Sequence, residues 1–375
     1  MSAPKILLKD LLFNRDKVAA LAGELASVHA EFRADRFTGE VTARLADLEL
    51  KERIAWIATC LSRHLPGDYR PAVQVIVAAL PAPNDPALTD GDFGDFIYAP
   101  YAEYVARQGC TADDLDFSLA ALREITMRFS AEDAIRTFIN AFPDRTMRTL
   151  LVWAGDENYH VRRLCSEGTR PRLPWSRRIG IAAGDAIPIL DVLFCDPTRY
   201  VTRSVANHLN DIAKDDPDLA IGTLARWRQS GRQTAREMDF IVRHATRGLV
   251  KAGHPGAMEL LGLTSQPRVE VLDVEAPGEV ALDTALEFSV HLRADEAAEL
   301  VVDYAIRFQG PAGKPGGRKV FKLKRLSLAK GEQVTLVKRY PLRSGMTTRR
   351  LYPGGHELEV QINGVRYVTR PFRIS

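Results

Sequence analysis

Four arginines recur at a constant step. Arg123, Arg163, Arg203 and Arg243 stand 40 residues apart. In each copy an apolar residue precedes the arginine by two positions, and a small or apolar residue follows it by two. A guanidinium is planar and presents paired donors, so arginine suits bidentate contact with phosphate. Arginine is dense from Arg123 to Arg247, and lysine is scarce there. A basic stripe along an extended scaffold is one footprint of nucleic-acid binding. The same charges also fit solvated helix faces, or ion pairs between repeats with Asp156 and Asp196 as partners.

Other chemistries find little support. Cys60, Cys110, Cys165 and Cys195 are widely spaced, with no CxxC and no HExxH. They read as buried free thiols rather than a disulfide framework or zinc site. Gly313-Lys314-Pro315-Gly316-Gly317 lacks the strand–helix context of a phosphate loop or a dinucleotide fingerprint. His160 and His208 have no metal-ligand spacing. Neither a metal nor an organic cofactor is expected.

The elements that must position the arginines follow from period. The chain has 375 residues, 46% hydrophobic and 26% charged, with a net charge of +3. That suggests a folded protein of two or three domains. Its longest apolar runs, such as Val75–Leu80, fall far short of the ~20 residues that span a bilayer. Met1–Lys5 leads into an amphipathic stretch without the apolar core of a secretory signal, so a cytoplasmic protein is expected. Lys51–Leu65 places Ile54, Ile57, Ala58, Leu61 and Leu65 on one helical face. Asp116–Phe129 does the same with Leu119, Leu122, Ile125, Thr126 and Phe129. Asp144–Trp153 reads as a helix capped by Asp144, with Met147, Leu150 and Leu151 inward and Trp153 in the core. Paired helices at a 40-residue step are the signature of HEAT or armadillo stacking. If the arginines share the concave side, they line one groove.

Near residue 265 the period switches to two. Arg268–Val274, Leu286–Leu292, Glu299–Phe308, Val320–Leu328, Gln333–Tyr340, His356–Ile362 and Val365–Ile374 alternate, with turn signals between them. Asn363-Gly364 between two such runs predicts a hairpin. The fold class is therefore mainly α: a HEAT-like solenoid over 1–264, then a small immunoglobulin-like β-sandwich over 268–375. The sandwich carries a glycine-rich loop, Gly310–Gly317, beside Lys314, Arg318 and Lys319, residues suited to phosphate contact or to protecting a strand edge.

Three stretches carry a resemblance. Asn158–Trp175 resembles a signature of the AlkC-type DNA alkylation-repair glycosylases, and Ser204–Lys214 is similar to their second. Ser130–Ile139 is similar to a third, with Asp133 and Thr137 departing from the usual Phe and Pro. The likeness runs through the last helical repeat and includes the later immunoglobulin-like domain. It implies excision of 3-methyladenine and 3-methylcytosine from alkylated double-stranded DNA by hydrolysis of the N-glycosidic bond. It also implies capture of the lesion without full base flipping, by a monomer that needs no protein partner or membrane.

Such chemistry needs a carboxylate beside a developing oxocarbenium ion, aromatic faces, and cations on the flanking phosphates. Analogy with the related AlkD-type enzymes ranks Glu132 first and Asp156 second. Glu167 and Asp211 are further carboxylates, and each of these residues also fits a helix cap or salt-bridge role. Trp175, in an irregular basic segment, is the aromatic candidate. Arg123, Arg136, Arg163, Arg170, Arg172, Arg203, Asn207, His208, Asn210, Lys214 and Arg243 are the DNA-contact candidates in the helical part. The rival reading is a non-enzymatic HEAT scaffold that binds nucleic acid or protein.

Overall fold

The computed structural model describes residues 7–84, 93–346 and 350–375, so Met1–Lys5 lie outside the described residues. The first helices are α1 (Leu8–Leu12), α2 (Arg15–Val28), α3 (Ala34–Leu45), α4 (Leu50–His64), α5 (Tyr69–Ala78), α6 (Ala99–Gln108), α7 (Leu115–Thr126) and α8 (Glu132–Ala141). There follow α9 (Pro143–Trp153), α10 (Tyr159–Gly168), α11 (Ile187–Leu193), α12 (Arg199–Ile212), α13 (Pro217–Ser230), α14 (Ala235–Ala245), α15 (Arg247–Ala252) and α16 (Pro255–Leu260).

Local signals set these boundaries. The Asn158 side chain accepts the His160 N–H at the start of α10, satisfying a donor with no partner inside the helix. Glu49 and Glu52 form a reciprocal capping box on α4. Pro143 opens α9, where its missing N–H costs nothing, so Asp144 sits in the first turn rather than at the cap. The inward face of α9 also differs from expectation. Thr146, Leu150 and Trp153 are buried, while Leu151 is 42% exposed. Thr146 turns inward because its hydroxyl donates to the Phe138 carbonyl at 3.1 Å. In α4 and α7 the expected faces are buried through Ile57, Ala58 and Leu61, and through Leu119, Leu122 and Ile125.

Helices one repeat apart stack: α4 packs on α6, α6 on α8, α8 on α10, and α10 on α12. This is the paired-helix stacking expected from the 40-residue step.

The strands are β1 (Val269–Glu275), β2 (Glu279–Val280), β3 (Ala285–Ala294), β4 (Ala298–Gln309), β5 (Pro315–Leu328), β6 (Gln333–Pro341), β7 (Gly354–Ile362) and β8 (Val365–Ile374). They form a three-stranded sheet, β1-β3-β6, and a five-stranded sheet, β2-β8-β7-β4-β5. The inward residues of both sheets, among them Leu286, Val290, Tyr304, Leu358 and Val360, make one core. Asn363 (φ 44°) and Gly364 (φ 79°) make the two-residue turn between β7 and β8, both left-handed as a type I′ hairpin demands. The two-residue β2 was not anticipated, and β5 reaches back to Pro315. Gly316 and Gly317 thus belong to a strand, and a Cβ on Gly316 would lie 2.3 Å from the Phe308 carbonyl oxygen.

By packing, the chain forms two compact units: Met1–Ile212 with Trp227–Ile241, and Ala213–Arg226 with Val242–Ser375. The change of secondary structure near residue 265 is therefore not the edge of a compact unit. Within the second unit, Met258 and Leu263 bury against Val301 of β4.

Candidate active site

The site is built on the first unit, from the start of α8 and the buried face of α10. Glu132 is the first residue of α8. Its Oε2 accepts two hydrogen bonds, from Ser130 Oγ at 2.8 Å and from Arg163 Nη1 at 2.9 Å. Its Oε1 takes no hydrogen bond among the described residues, and the side chain is 29% exposed. One carboxylate oxygen is thus anchored and the other left open.

Arg163 is buried, and its other amino group lies 3.7 Å from Glu167 Oε2. Glu167 accepts from Arg170 at 2.6 Å and from Ser204 at 2.5 Å. Arg170 also binds Asp211 at 2.8 Å. Burial alone would push the Arg163 guanidinium down, but Glu167 and Glu132 more than offset it and hold the group charged. Burial would likewise raise Glu167, and Arg163 with Arg170 overcome it to keep that carboxyl below its usual range. The chain Glu132–Arg163–Glu167–Arg170–Asp211 contains three carboxylates and two guanidiniums, and of its two acidic ends Glu132 is the exposed one and Asp211 the buried one.

Aromatic rings enclose the arginine. Tyr200 lies 4.6 Å from the Arg163 guanidinium and Phe93 lies 5.5 Å away, contacts that strengthen when desolvated. Tyr159 and His160 pack edge-on against Tyr200 at 5.7 and 5.6 Å. Spacing gave no role to Phe93, Tyr159, Tyr200 or Ser130. A signal existed for Tyr159 and Tyr200, each close behind an aspartate of the repeat, Asp156 and Asp196.

The arginine ladder departs from the strict 40-residue step, using Arg162 in place of Arg163 and Arg199 in place of Arg203. Arg123 binds Asp156 at 2.7 Å, Arg162 binds Asp196 at 2.5 Å, and Arg199 binds Glu237 at 2.7 Å. A strict 40-residue step would hand Asp196 to Arg163. Arg162 takes that place, and Arg163 turns to Glu132 instead.

Asp156 is engaged within the repeat scaffold. Its Oδ2 holds Arg123, and its Oδ1 accepts the Asn158 N–H at 2.8 Å. Asp196 repeats the arrangement with Arg162 and the Thr198 N–H. An interaction repeated in two copies is a scaffold feature.

Other candidates also move. Arg136 is buried, and its guanidinium donates to the carbonyls of Arg177, Gly168 and Arg170, so it pins a loop and does not reach a groove. Arg170 is buried in the ion network described above. His208 is fully buried, with Nδ1 donating to the Ser166 carbonyl at 3.0 Å, and burial pushes its imidazole down to about 4. Asn210 is buried, which removes it as a direct contact. Trp153 is core, as expected. Arg203 and Asn207 are half-buried and Arg172 is exposed. Trp175 is 84% exposed and lines the same cavity as Glu132.

Lys214 and Arg243 are exposed and belong to the second unit. Lys314 and Lys319 are exposed there too, whereas Arg318 is committed to Glu359 and Gln361. Among the described residues no group of three or more His, Cys, Asp or Glu side chains is arranged to hold a metal ion. The four cysteines are free, with Cys60 and Cys165 buried. No helix among the described residues is long and apolar enough to cross a membrane.

Residues 269–375 match the model of the C-terminal Ig-like domain of the uncharacterised protein YhaZ. The chain is 32% identical to the uncharacterized protein YhaZ of Bacillus subtilis over 360 residues, covering 94% of this chain and 95% of that one. It is similar at a TM-score of 0.88 and 34% identity to the alkylpurine DNA glycosylase AlkC of Pseudomonas fluorescens, solved bound to DNA containing an abasic-site analog. That likeness covers 99% of this chain and 100% of the other.

The chain belongs to the AlkC family. Family membership accounts for both halves of the architecture at once, the stacked helix pairs and the immunoglobulin-like sandwich. The likeness spans nearly the whole chain, including the stretch that holds Ser130, Glu132 and Arg163.

Proposed function

We propose that this protein is a DNA glycosylase that removes alkylated bases from duplex DNA, with cationic N3-methylated bases as substrates and Glu132 as the catalytic carboxylate. The observation that carries this reading is the split role of the Glu132 carboxylate. Oε2 is fixed by Ser130 and Arg163, while Oε1 takes no hydrogen bond among the described residues, in a side chain 29% exposed. The AlkC relative is an alkylpurine DNA glycosylase and carries DNA in its crystal structure, which favours an enzyme over a scaffold.

A 3-methylated adenine or cytosine is already positively charged, so it leaves without added acid. The electron pair of the glycosidic bond passes to the base and neutralises it. The sugar becomes an oxocarbenium ion, which Glu132 stabilises through Oε1. Water then adds to C1′, and its proton passes to the carboxylate or to solvent. The products are a free base and an abasic sugar. Arg163 and Ser130 both donate to Oε2 and not to Oε1, so they fix the carboxylate without blocking the oxygen assigned to the sugar.

The direct experiment is base release from methylated duplex DNA, followed by chromatography without added metal. Free 3-methyladenine or 3-methylcytosine is expected from the native protein. Tight, salt-sensitive DNA binding with no released base would overturn the enzyme and leave a scaffold.

A further inference from the structure

Glu132 forms part of the wall of a cavity of about 360 Å³ in the first unit. That volume lies in the range of small-molecule sites. The floor is apolar and aromatic, made by Ile54 on α4, Ala99 and Ala102 on α6, and Phe96 and Phe129. The two phenylalanine rings lie 4.4 Å apart.

Trp175 stands on the rim. Its backbone is left-handed, at φ 69°, a strained conformation for an aromatic residue. Lys51 holds it there, donating to the Trp175 carbonyl and, at 3.1 Å, to Asp133 Oδ2. An indole is thereby kept in solvent at the mouth of an aromatic slot, where hydrophobic burial alone would not leave it. The same wall carries a hydrogen-bond acceptor. Glu132 Oε1 takes no hydrogen bond among the described residues, and its side chain is 29% exposed. A flat ring with an amine on its edge matches this lining. Its faces meet phenylalanine and tryptophan, and its amine meets a carboxylate.

We propose that this cavity holds a free nucleobase bearing an exocyclic amine, the base just released at Glu132. The inference rests on the glycosylase reading for the source of that base, but not for the existence of the site. The retained product competes with the next lesion, so free base inhibits turnover.

Isothermal titration of the full-length protein with free 3-methyladenine, without DNA, tests the site. Saturable binding at one site per chain is expected, with hypoxanthine, which has a carbonyl in place of the amine, binding more weakly. Trp175→Ala removes an exposed ring and is expected to weaken binding about tenfold, the loss of one stacking partner. Ala102→Leu fills the floor and is expected to do the same. Absence of saturable binding, or binding unchanged in both variants, would overturn the proposal. The base-release assay is run in parallel. Excision without binding of free base sinks the cavity inference alone, and binding without excision sinks the glycosylase reading alone.

Discussion

Arg162 and Arg163 are neighbours in the chain and have opposite fates in the fold. Arg162 closes the ladder to Asp196 at 2.5 Å, while Arg163 binds Glu132 Oε2 at 2.9 Å. One residue along a helix turns a side chain by about 100°. The tandem pair thus lets one arginine keep the repeats together while the other anchors a carboxylate.

Replacement of Glu132 by Gln keeps the size of the side chain and removes the charge facing the sugar. Base release is expected to fall about 10²–10³-fold, the range found when a preorganised electrostatic contact is lost. DNA binding is expected to stay within several-fold, because the phosphate contacts lie elsewhere. Single-turnover rates and binding isotherms on the same preparation separate the two effects. Full activity in Glu132→Gln would move the chemistry to another carboxylate.

The two neighbouring arginines are expected to separate stability from rate. Arg162→Ala breaks the pair with Asp196 but leaves Glu132 anchored, so it lowers the melting temperature and spares most of kcat. Arg163→Ala releases Glu132 and leaves Glu167 with one cationic partner fewer inside the protein. Breaking a buried pair costs roughly 3–5 kcal/mol, so this variant is expected to be both inactive and less stable. Thermal melts and base-release rates for both variants check the assignment. Equal activity losses in the two would contradict it.

The fold was largely legible because burial writes its period into the chain. The helices, the switch to strands near residue 265 and the Asn363-Gly364 hairpin followed from spacing and turn chemistry alone. Glu132 was a candidate by analogy with the AlkD-type enzymes, and what the structure adds is its anchoring by Ser130 and Arg163. The direction of each guanidinium was not legible. The 40-residue step singles out Arg163, yet Arg162 takes the ladder position, because spacing does not say which way a guanidinium turns. Arg136 looked basic and available, yet three backbone carbonyls enclose it. Phe93 and Tyr200 lie 107 positions apart in the chain and meet only through tertiary packing, their ring centroids 5.8 Å apart.

Two buried groups give opposite pH signatures. Burial pushes His208 from 6.5 down to about 4. The unfolded chain therefore takes up this proton first as pH falls, and stability is lost between about 6.5 and 4, on the order of 3 kcal/mol in full. Asp303 of β4 is pushed up to about 6 by burial, against the opposing pull of Lys251 and Lys322. Here the folded chain takes up the proton first, so stability is gained as pH falls from about 6 towards 3.8. His208→Gln is expected to flatten the acid loss of melting temperature, and Asp303→Asn to steepen it. A His208→Gln profile that parallels the native one would show that the imidazole is not held neutral.

Truncation at Thr264 looks natural from composition, and packing argues against it. Met258 and Leu263 bury against Val301, and each such side chain contributes roughly 1.5–3 kcal/mol by burial. Gln361 donates to the Lys251 carbonyl and Asn363 to the Thr264 carbonyl, both at 2.9 Å. A Cβ on Gly364 would lie 2.1 Å from Gly253 Cα, so the hairpin tip sits directly on the turn after α15. A chain ending at Thr264 is expected to lose hydrogen-exchange protection across α15 and α16 while α8, α10 and α12 keep theirs. Any loss of DNA binding in that truncation therefore mixes misfolding with missing contacts. The contacts are tested in the full chain instead, by Lys314→Glu and Lys319→Glu, since both side chains are exposed while Arg318 is tied to Glu359. Each change is expected to weaken DNA binding across sequences and to reduce the salt dependence by about one phosphate contact. An unchanged salt slope in the double variant would remove the glycine-rich segment from the DNA interface.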